Sequence, residues 1–150
     1  MRQEKISTDN LLQKLFKTKH IIKFMKNFDK QSDYVSFAVL INQLCAERNI
    51  TPSLVIKNST IERTYGHQLF SGKRTPSRDT IIRLAFGFGM DYDETQALLK
   101  TARKSQLYVK VKRDAVIIFA LKRSLSIMQT QATLEELSLP LLGKDERTYE

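Results

Sequence analysis

Residues 51–76, TPSLVIKNSTIERTYGHQLFSGKRTP, carry a pattern of side chains that could contact a polyanion. Within this stretch, the apolar residues Ile61, Leu69 and Phe70 predict the buried side of a short helix from about position 61 to position 70. Its outward side carries Glu62, Arg63, Thr64, His67 and Gln68. A helix anchored on one face, with donors and acceptors near its N-terminus, has the profile needed to reach base edges in a DNA groove. A polar face that is simply solvated is the alternative.

A second short helix and two turns must position this face. Thr51 followed by Pro52 is a helix-start signal, because the Thr hydroxyl can cap the helix and Pro suits its first position. Residues 54–56, all apolar, supply the buried side of that helix. Residues 58–60, NST, have the composition of a turn, and residues 71–76, SGKRTP, turn the chain again. The sequence therefore predicts helix, turn, helix and a basic exit.

Helical periodicity flanks this stretch on both sides. Upstream, one continuous helical face is formed by Phe37, Leu40, Ile41, Leu44 and Cys45. On that buried stripe, Cys45 is expected to be a core residue and not a nucleophile. Downstream, a helix after Pro76 is expected to end at Gly87 and Gly89, and Asp91 with Glu94 predicts a capping box for the next helix. Five helices thus fit into residues 36–103.

The charge of the chain favours a polyanionic partner. Its 150 residues carry 25 basic and 16 acidic groups, a net charge of +9 with the histidines neutral. The basic groups concentrate in residues 1–30, 62–83 and 100–123, whereas the last 21 residues are net acidic. Nucleic acid, an anionic membrane surface and an acidic protein all fit such a balance.

Composition also bears on the compartment. Cys45 is the single cysteine and cannot form an internal disulfide, which favours a reducing cytoplasm. The longest apolar run, residues 115–121, is far shorter than the roughly 20 residues that cross a bilayer, and residues 1–10 do not resemble a signal peptide. Amphipathic helices predicted within residues 7–28 are expected to pack on the domain, with a membrane surface as the alternative. We therefore expect a cytoplasmic chain without a membrane partner.

The sequence contains little that favours catalysis. Its two histidines are His20 and His67, no Gly-rich loop follows a strand, and no carboxylate pair lies in an evident pocket. No Cys/His cluster accompanies His67, so a metal site is not expected. We therefore expect no enzyme activity, no catalytic residue, no metal, no cofactor and no small-molecule substrate.

The five predicted helices resemble the lambda-repressor/Cro-type, or XRE-family, helix-turn-helix DNA-binding proteins. The resemblance is carried by Val55, Ile61, Leu69-Phe70, Ser71-Gly72-Lys73-Arg74-Thr75-Pro76 and the run from Leu84 to Leu99. It covers about residues 36–103. It implies an all-α fold: a lambda-repressor-like five-helix DNA-binding domain, with N-terminal helices and an additional C-terminal helical hairpin. It also implies double-stranded DNA as the partner.

The resemblance implies roles for individual residues. The base-reading residues would be Arg63, Thr64, His67 and Gln68, since Arg pairs with guanine and Gln reaches adenine or a phosphate. The phosphate and backbone contacts would come from Ser53, Tyr65, Lys73 and Arg74. For Tyr65, packing beneath the helix is an equally open alternative.

Three residues depart from the pattern of the family. Ile56 stands where a small residue, commonly Ala, is usual, and Gly66 stands where an aliphatic residue is common. We expect Gly66 to cost about 1 kcal/mol relative to Ala in a helix, unless a close approach of backbone compensates for it. Thr60 occupies a turn position usually held by Gly, and a β-branched residue is poorly suited to a left-handed backbone. We therefore expect the turn to follow a different route here.

An internal repeat accounts for the downstream part of the chain. Residues 78–102 and 113–137 align without gaps at an offset of 35 residues, with 8 identities in 25 positions. The repeat predicts a second helical hairpin, with chance similarity as the alternative, joined to the first by an extended segment over 104–112. The predicted core or dimer residues of this hairpin are Val116, Ile117, Phe119 and Leu121. Because helix-turn-helix proteins often dimerise, a homodimer through residues 113–142 is a hypothesis.

These features predict three segments and one leading function. Residues 1–33 form an N-terminal helical extension, residues 34–104 the helix-turn-helix domain, and residues 105–150 the C-terminal hairpin and tail. The favoured function is sequence-specific DNA-binding transcriptional regulation, with residues 62–70 reading the major groove. The alternative is a protein-interaction module on the same helical scaffold, such as an antitoxin.

Overall fold

The computed structural model describes residues 8–17, 21–22 and 36–143. Over these ranges it contains eight helices and no strand, which confirms the all-α class. The chain divides into two compact units, Met1–Ser36 and Phe37–Glu150. None of the helices in the described ranges is long and apolar enough to cross a membrane.

The first unit contains helix α1, Thr8–Lys17. Its charges suit the helix dipole, with Asp9 in the first turn and Lys14 and Lys17 in the last. No side chain of α1 is buried, and Phe16 is 74% exposed. Residues 21–22 are also helical, and the rest of the stretch 7–28, in which amphipathic helices are predicted, lies outside the described residues.

Seven helices make up the described part of the second unit. In chain order they are α2 (Phe37–Arg48), α3 (Pro52–Asn58), α4 (Arg63–Ser71), α5 (Arg78–Phe88), α6 (Tyr92–Thr101), α7 (Lys112–Lys122) and α8 (Ile127–Glu136). Side-chain caps determine several starts, because Thr51, Ser77, Asp91 and Ser126 each accept a hydrogen bond from a backbone N–H of the first turn. The capping box predicted for Asp91 and Glu94 is confirmed, and Ser126 forms another with Gln129.

One hydrophobic core joins these seven helices. Its fully buried members include Ile41, Val55, Leu69, Leu84, Leu99, Ile117 and Leu134, one from each helix. The predicted segments 34–104 and 105–150 therefore share a core. Cys45 lies in it at 6% exposure, as predicted for a core residue, and burial raises the pKa of its thiol.

Three local expectations differ from the structure. The helix expected to begin near position 61 begins at Arg63, because Glu62 is its N-cap. Leu54 was expected on the buried side of α3 but is 45% exposed, since only the next two residues are buried in this short helix. Gly87 lies inside α5, and the helix ends at Gly89 in a left-handed cap.

Helices α5–α6 and α7–α8 form the two hairpins predicted from the repeat. The second helices of the two hairpins, α6 and α8, begin and end at an offset of 35 residues. Left-handed backbone recurs at the same offset, with φ of 72° at Gly89 and 55° at Ser124, and 60° at Arg103 and 56° at Ser138. These positions carry different side chains, so the shared backbone argues against chance similarity.

A glutamine closes each hairpin onto the segment that follows it. The Gln96 side chain accepts a hydrogen bond from the Leu107 N–H at 2.7 Å and donates one to the Leu107 carbonyl at 2.9 Å. At the equivalent positions, Gln131 makes the same two bonds to Leu142 at 2.8 and 3.0 Å. Leu107 and Leu142 are both buried. The segment 104–112, predicted to be extended, is therefore folded back on α6 and contains no strand.

Two crossed ion pairs join the hairpins near the N-termini of α5 and α7. Arg78 of the first hairpin binds Asp114 of the second at 2.9 Å, and Arg113 of the second binds Asp79 of the first at 2.7 Å. Both pairs are bidentate. The helix contacts cross in the same way, α5 with α8 and α6 with α7. Because equivalent residues exchange partners, an approximate two-fold axis relates the hairpins, as in an isologous dimer.

The four residues predicted as core or dimer contacts differ in their burial once the hairpins are paired. Ile117 and Leu121 are buried within their own chain, whereas Val116 is half-buried and Phe119 is 51% exposed. A homodimer through residues 113–142 stays a prediction. Ile117 and Leu121 are already used inside the chain, so Phe119 is the member of the set that remains exposed.

Replacing Asp79 by Asn tests the crossed pairs. Burial raises the pKa of Asp79, but hydrogen bonds from Arg113 and the Gly143 N–H, with the nearby guanidinium charges, outweigh burial and hold the pKa below its ordinary value. A carboxylate with a lowered folded pKa stabilises the fold above its unfolded pKa, and this stabilisation is lost as the pH falls through the folded pKa. We expect Asp79→Asn to lower the free energy of unfolding by about 2 kcal/mol near neutral pH. The difference from wild type should shrink below about pH 4.

Urea unfolding at neutral and acidic pH measures this difference. The control is Asp93→Asn, which changes an exposed Asp in the first turn of α6 and should cost only about 0.5 kcal/mol. The stabilising role of the ionised Asp79 is contradicted if Asp79→Asn lowers the free energy of unfolding equally at every pH, or by no more than the control does.

Candidate nucleic-acid interface

Helices α3 and α4, with the turn between them, carry the residues predicted to contact DNA. In α3, the Leu54 N–H donates to the Thr51 hydroxyl at 3.2 Å. In α4, the Tyr65 N–H donates to the Glu62 carboxylate at 2.6 Å, and Gly72 ends the helix with a left-handed φ of 86°. Both ends of this nine-residue helix are therefore fixed by the chain itself.

The turn between the two helices is left-handed at Thr60, where φ is 55°. The expectation that Thr diverts the turn is wrong: Thr60 adopts the left-handed conformation despite a cost of about 1–2 kcal/mol. Arg83 stabilises it by donating to the Ser59 carbonyl at 3.3 Å, to the Thr60 carbonyl and to the Thr60 hydroxyl at 2.9 Å. Arg83 is only 6% exposed and also donates to the Gly143 carbonyl at 2.6 Å. One buried cation thus connects the turn to the end of the second hairpin.

Two of the departures from the family pattern form a matched pair. Gly66 of α4 faces Ile56 of α3, and a Cβ atom at Gly66 would lie 2.6–2.9 Å from three carbon atoms of the Ile56 side chain. The large residue therefore lies on α3 and the residue without a side chain on α4, which reverses the expected arrangement. Ile56 is 3% exposed, so its burial offsets the helix-propensity cost of Gly66.

The outward side of α4 presents the predicted base-reading residues. Arg63, Thr64 and His67 are exposed, and Gln68 is half-buried. The side-chain carbonyl oxygen of Gln68 is buried and has no hydrogen-bond partner among the residues described. The structure thus brings all four residues onto one short helix and leaves the first three exposed.

The predicted phosphate contacts Ser53, Lys73 and Arg74 are also exposed. Ser53 lies in the first turn of α3, and the backbone N–H groups of Lys73 and Arg74 donate to the Gln68 carbonyl at 2.9 and 3.3 Å. The basic exit is therefore held against the end of α4. Lys57, in the last turn of α3, is a further exposed cation on this surface. It was not predicted as a phosphate contact, because nothing in the sequence except its charge indicated that role.

Tyr65 does not fit the backbone-contact role predicted for it. It is fully buried and is the largest fully buried side chain in the described structure. It packs beneath α4, which is the alternative that the sequence left open. Tyr suits both positions because it joins an apolar ring to a polar hydroxyl, so residue type alone did not decide between them.

The basic residues divide into those used by the fold and those available at the surface. Carboxylates or backbone carbonyls of the chain bind Arg48, Arg78, Arg83 and Arg113. In the part of the chain that the structure describes, Arg63, Lys73 and Arg74 form no ion pair. Residues 51–76 contain four basic residues and one acidic residue, Glu62, whose carboxylate caps α4. This surface therefore carries positive charge available to a polyanion.

No protein-family model matches the chain, and no curated protein and no solved structure matches it significantly. Across the described ranges, no group of three or more His, Cys, Asp or Glu side chains is placed to hold a metal ion. The exposed basic face of α3–turn–α4 is the candidate site.

Because Gly66 packs against Ile56, the effect of Gly66→Ala on stability should change sign when Ile56 is replaced by Ala. Gly66→Ala in the wild type should destabilise by about 1–2 kcal/mol, because overpacking against Ile56 exceeds the gain in helix propensity. In an Ile56→Ala background, the added methyl group has room, and the same change should stabilise by about 1 kcal/mol. Urea unfolding of the two single variants and the double variant measures the cycle. Equal effects of Gly66→Ala in both backgrounds contradict direct packing.

The Arg83 contacts predict a large loss when the guanidinium is removed. Arg83→Met leaves the buried carbonyls of the turn without their donor and should lower the free energy of unfolding by about 3 kcal/mol. Arg74→Met removes an exposed guanidinium and should change it by less than about 0.5 kcal/mol. Denaturant unfolding compares the two, and equal losses would show that Arg83 does not hold the turn.

Proposed function

We propose that this chain is a sequence-specific DNA-binding transcriptional regulator that reads the major groove with α4. The observation that carries the proposal is the division of α4 into two faces. Tyr65, Leu69 and Phe70 are buried and fix the orientation of the helix, whereas Arg63, Thr64 and His67 are exposed. A major groove admits an α-helix, and the side chains near its N-terminus reach the base edges.

In the proposed complex, phosphate contacts set the register and α4 reads the sequence. Ser53, Lys73 and Arg74 bind phosphates on either side of the groove, aided by the positive charge of this surface. Arg63 pairs with the O6 and N7 atoms of a guanine, and Thr64 and His67 contact neighbouring bases. Gln68 contributes less because it is half-buried. Regulation follows from occupancy of the site, by blocking or recruiting other proteins.

We further propose that α2–α6 form a lambda-repressor-like domain and that the protein acts in the cytoplasm. Support for the domain comes from five consecutive helices at the predicted positions and a short turn between α3 and α4. The left-handed backbone at Thr60, where the family usually has Gly, adds to that support. The lone buried Cys45 fits a reducing compartment.

Two substitutions distinguish the proposed base contact of Arg63 from the proposed phosphate contact of Lys73. A preferred site is first selected from a random DNA library with the full chain. Arg63→Ala should weaken binding to that site by about 10- to 100-fold and relax the preference at one base pair, because a bidentate base contact is lost. Lys73→Ala should weaken binding to all sequences alike and lower the salt slope of log K by about 1. Fluorescence anisotropy over a salt series measures both effects.

The matched control is Lys100→Ala, which removes an exposed lysine from α6. It should leave specificity unchanged and weaken binding less than Lys73→Ala does. The proposal fails if the library yields no preferred sequence. It also fails if Arg63→Ala and Lys73→Ala bind that sequence as the wild type does.

A further inference from the structure

The first helix of each hairpin has a corresponding outer face, and this face is covered on α5 but exposed on α7. On α5, Leu84, Gly87 and Phe88 are buried, and a Cβ atom at Gly87 would collide with Ser59 and lie 2.5 Å from the Val55 carbonyl of α3. Helix α3 therefore covers this face of the first hairpin. On α7, the equivalent positions are Phe119, Lys122 and Arg123, and all three are exposed.

The exposed face of α7 is a single stripe of apolar and basic residues. Helical geometry places residues three and four apart on the same side. One side of α7 carries the buried residues Asp114, Ile117, Ala120 and Leu121. The opposite side carries the outer face of α7, defined as Lys112, Ala115, Val116, Phe119, Lys122 and Arg123, of which Ala115 and Val116 are half-buried and the other four are exposed. Its centre is apolar and its margin is basic.

The basic residues of the outer face have few acidic residues near them in the sequence. Residues 100–123 contain 8 basic residues and 1 acidic residue, Asp114, which is bound to Arg78. Among the residues that the structure describes, Lys112, Lys122 and Arg123 form no ion pair. The guanidinium carbon of Arg123 lies 4.9 Å from the centre of the Phe119 ring, so the cation and the ring form one surface.

The exposed Phe119 ring and the cations without ion pairs together indicate which kind of molecule could bind this face. A second copy stacked on this face would bring like charges together. Double-stranded DNA would neutralise the cations but would leave the apolar ring without a partner. An acidic polypeptide with an apolar side chain satisfies both features, since its carboxylates pair with the cations and its apolar side chain covers the ring.

We propose that the outer face of α7 binds an acidic segment of another protein. An apolar side chain of that segment packs on Phe119, and its carboxylates pair with Lys122 and Arg123. The replacement of Gly87 by Lys122 at the equivalent position means that the partner approaches less closely than α3 approaches α5. This site involves none of the residues proposed to contact DNA, so it stands or falls independently of that proposal.

Selection from a random-peptide display library on the full-length chain tests the proposal. Enriched peptides should combine Asp and Glu with an apolar residue. For a synthesised peptide of that composition, Phe119→Ser and the double variant Lys122→Glu/Arg123→Glu should each raise the Kd about tenfold or more. The matched control is Met128→Ser, at a residue of α8 that is 71% exposed, and it should leave the Kd unchanged. A peptide with Lys in place of its acidic residues should recover binding to the charge-reversed variant.

Three results would overturn the proposal. Enriched peptides that bind the Phe119→Ser and charge-reversed variants as tightly as the wild type would place the site elsewhere. Loss of a dimer in Phe119→Ser by analytical ultracentrifugation would make a second copy the occupant. Weaker DNA binding in the charge-reversed variant, without loss of peptide binding, would assign the face to nucleic acid. Thermal unfolding verifies that each variant is folded, and the exposure of Phe119 makes a folded Phe119→Ser chain the expected result.

Discussion

Two Arg–Asp pairs that cross between equivalent hairpins determine how the two hairpins of the second unit face each other. Each pair is bidentate and partly withdrawn from water, and together they relate α5–α6 to α7–α8 by an approximate two-fold axis. Because α3 packs directly on α5, the first hairpin positions α3 and, through it, α4. Arg83 adds a second connection, from the turn at Thr60 to Gly143. The proposed reading helix is therefore supported by both hairpins.

The helices were predictable from the sequence because periodic apolar residues and caps such as Asp91 are signals among neighbouring positions. The second hairpin was predictable because residue identities recur at an offset of 35 residues. Contacts between distant residues were not predictable in the same way. Asp79 and Asp114 resemble ordinary first-turn carboxylates until the two hairpins face each other. Ile56 and Gly66 each looked like a departure from the family, and only their proximity in space shows that one compensates for the other.

The two hairpins share one framework and differ in their surfaces. The turns, the closing glutamines and the crossed arginines recur, whereas the outer faces do not. On the first hairpin that face is apolar and includes Gly87, which lets α3 approach closely. On the second it carries Phe119 between Lys112, Lys122 and Arg123. One hairpin therefore supports the proposed DNA-reading unit, and the other presents a surface suited to an acidic protein.

Arg63 is proposed to read a guanine from the major groove. Methylation interference on the selected DNA site tests it directly, because a methyl group on guanine N7 lies in the major groove. We expect one guanine whose methylation blocks binding of the wild-type chain and does not weaken binding of Arg63→Ala further. Interference confined to the minor-groove N3 of adenines, or a guanine pattern identical in wild type and Arg63→Ala, would contradict it.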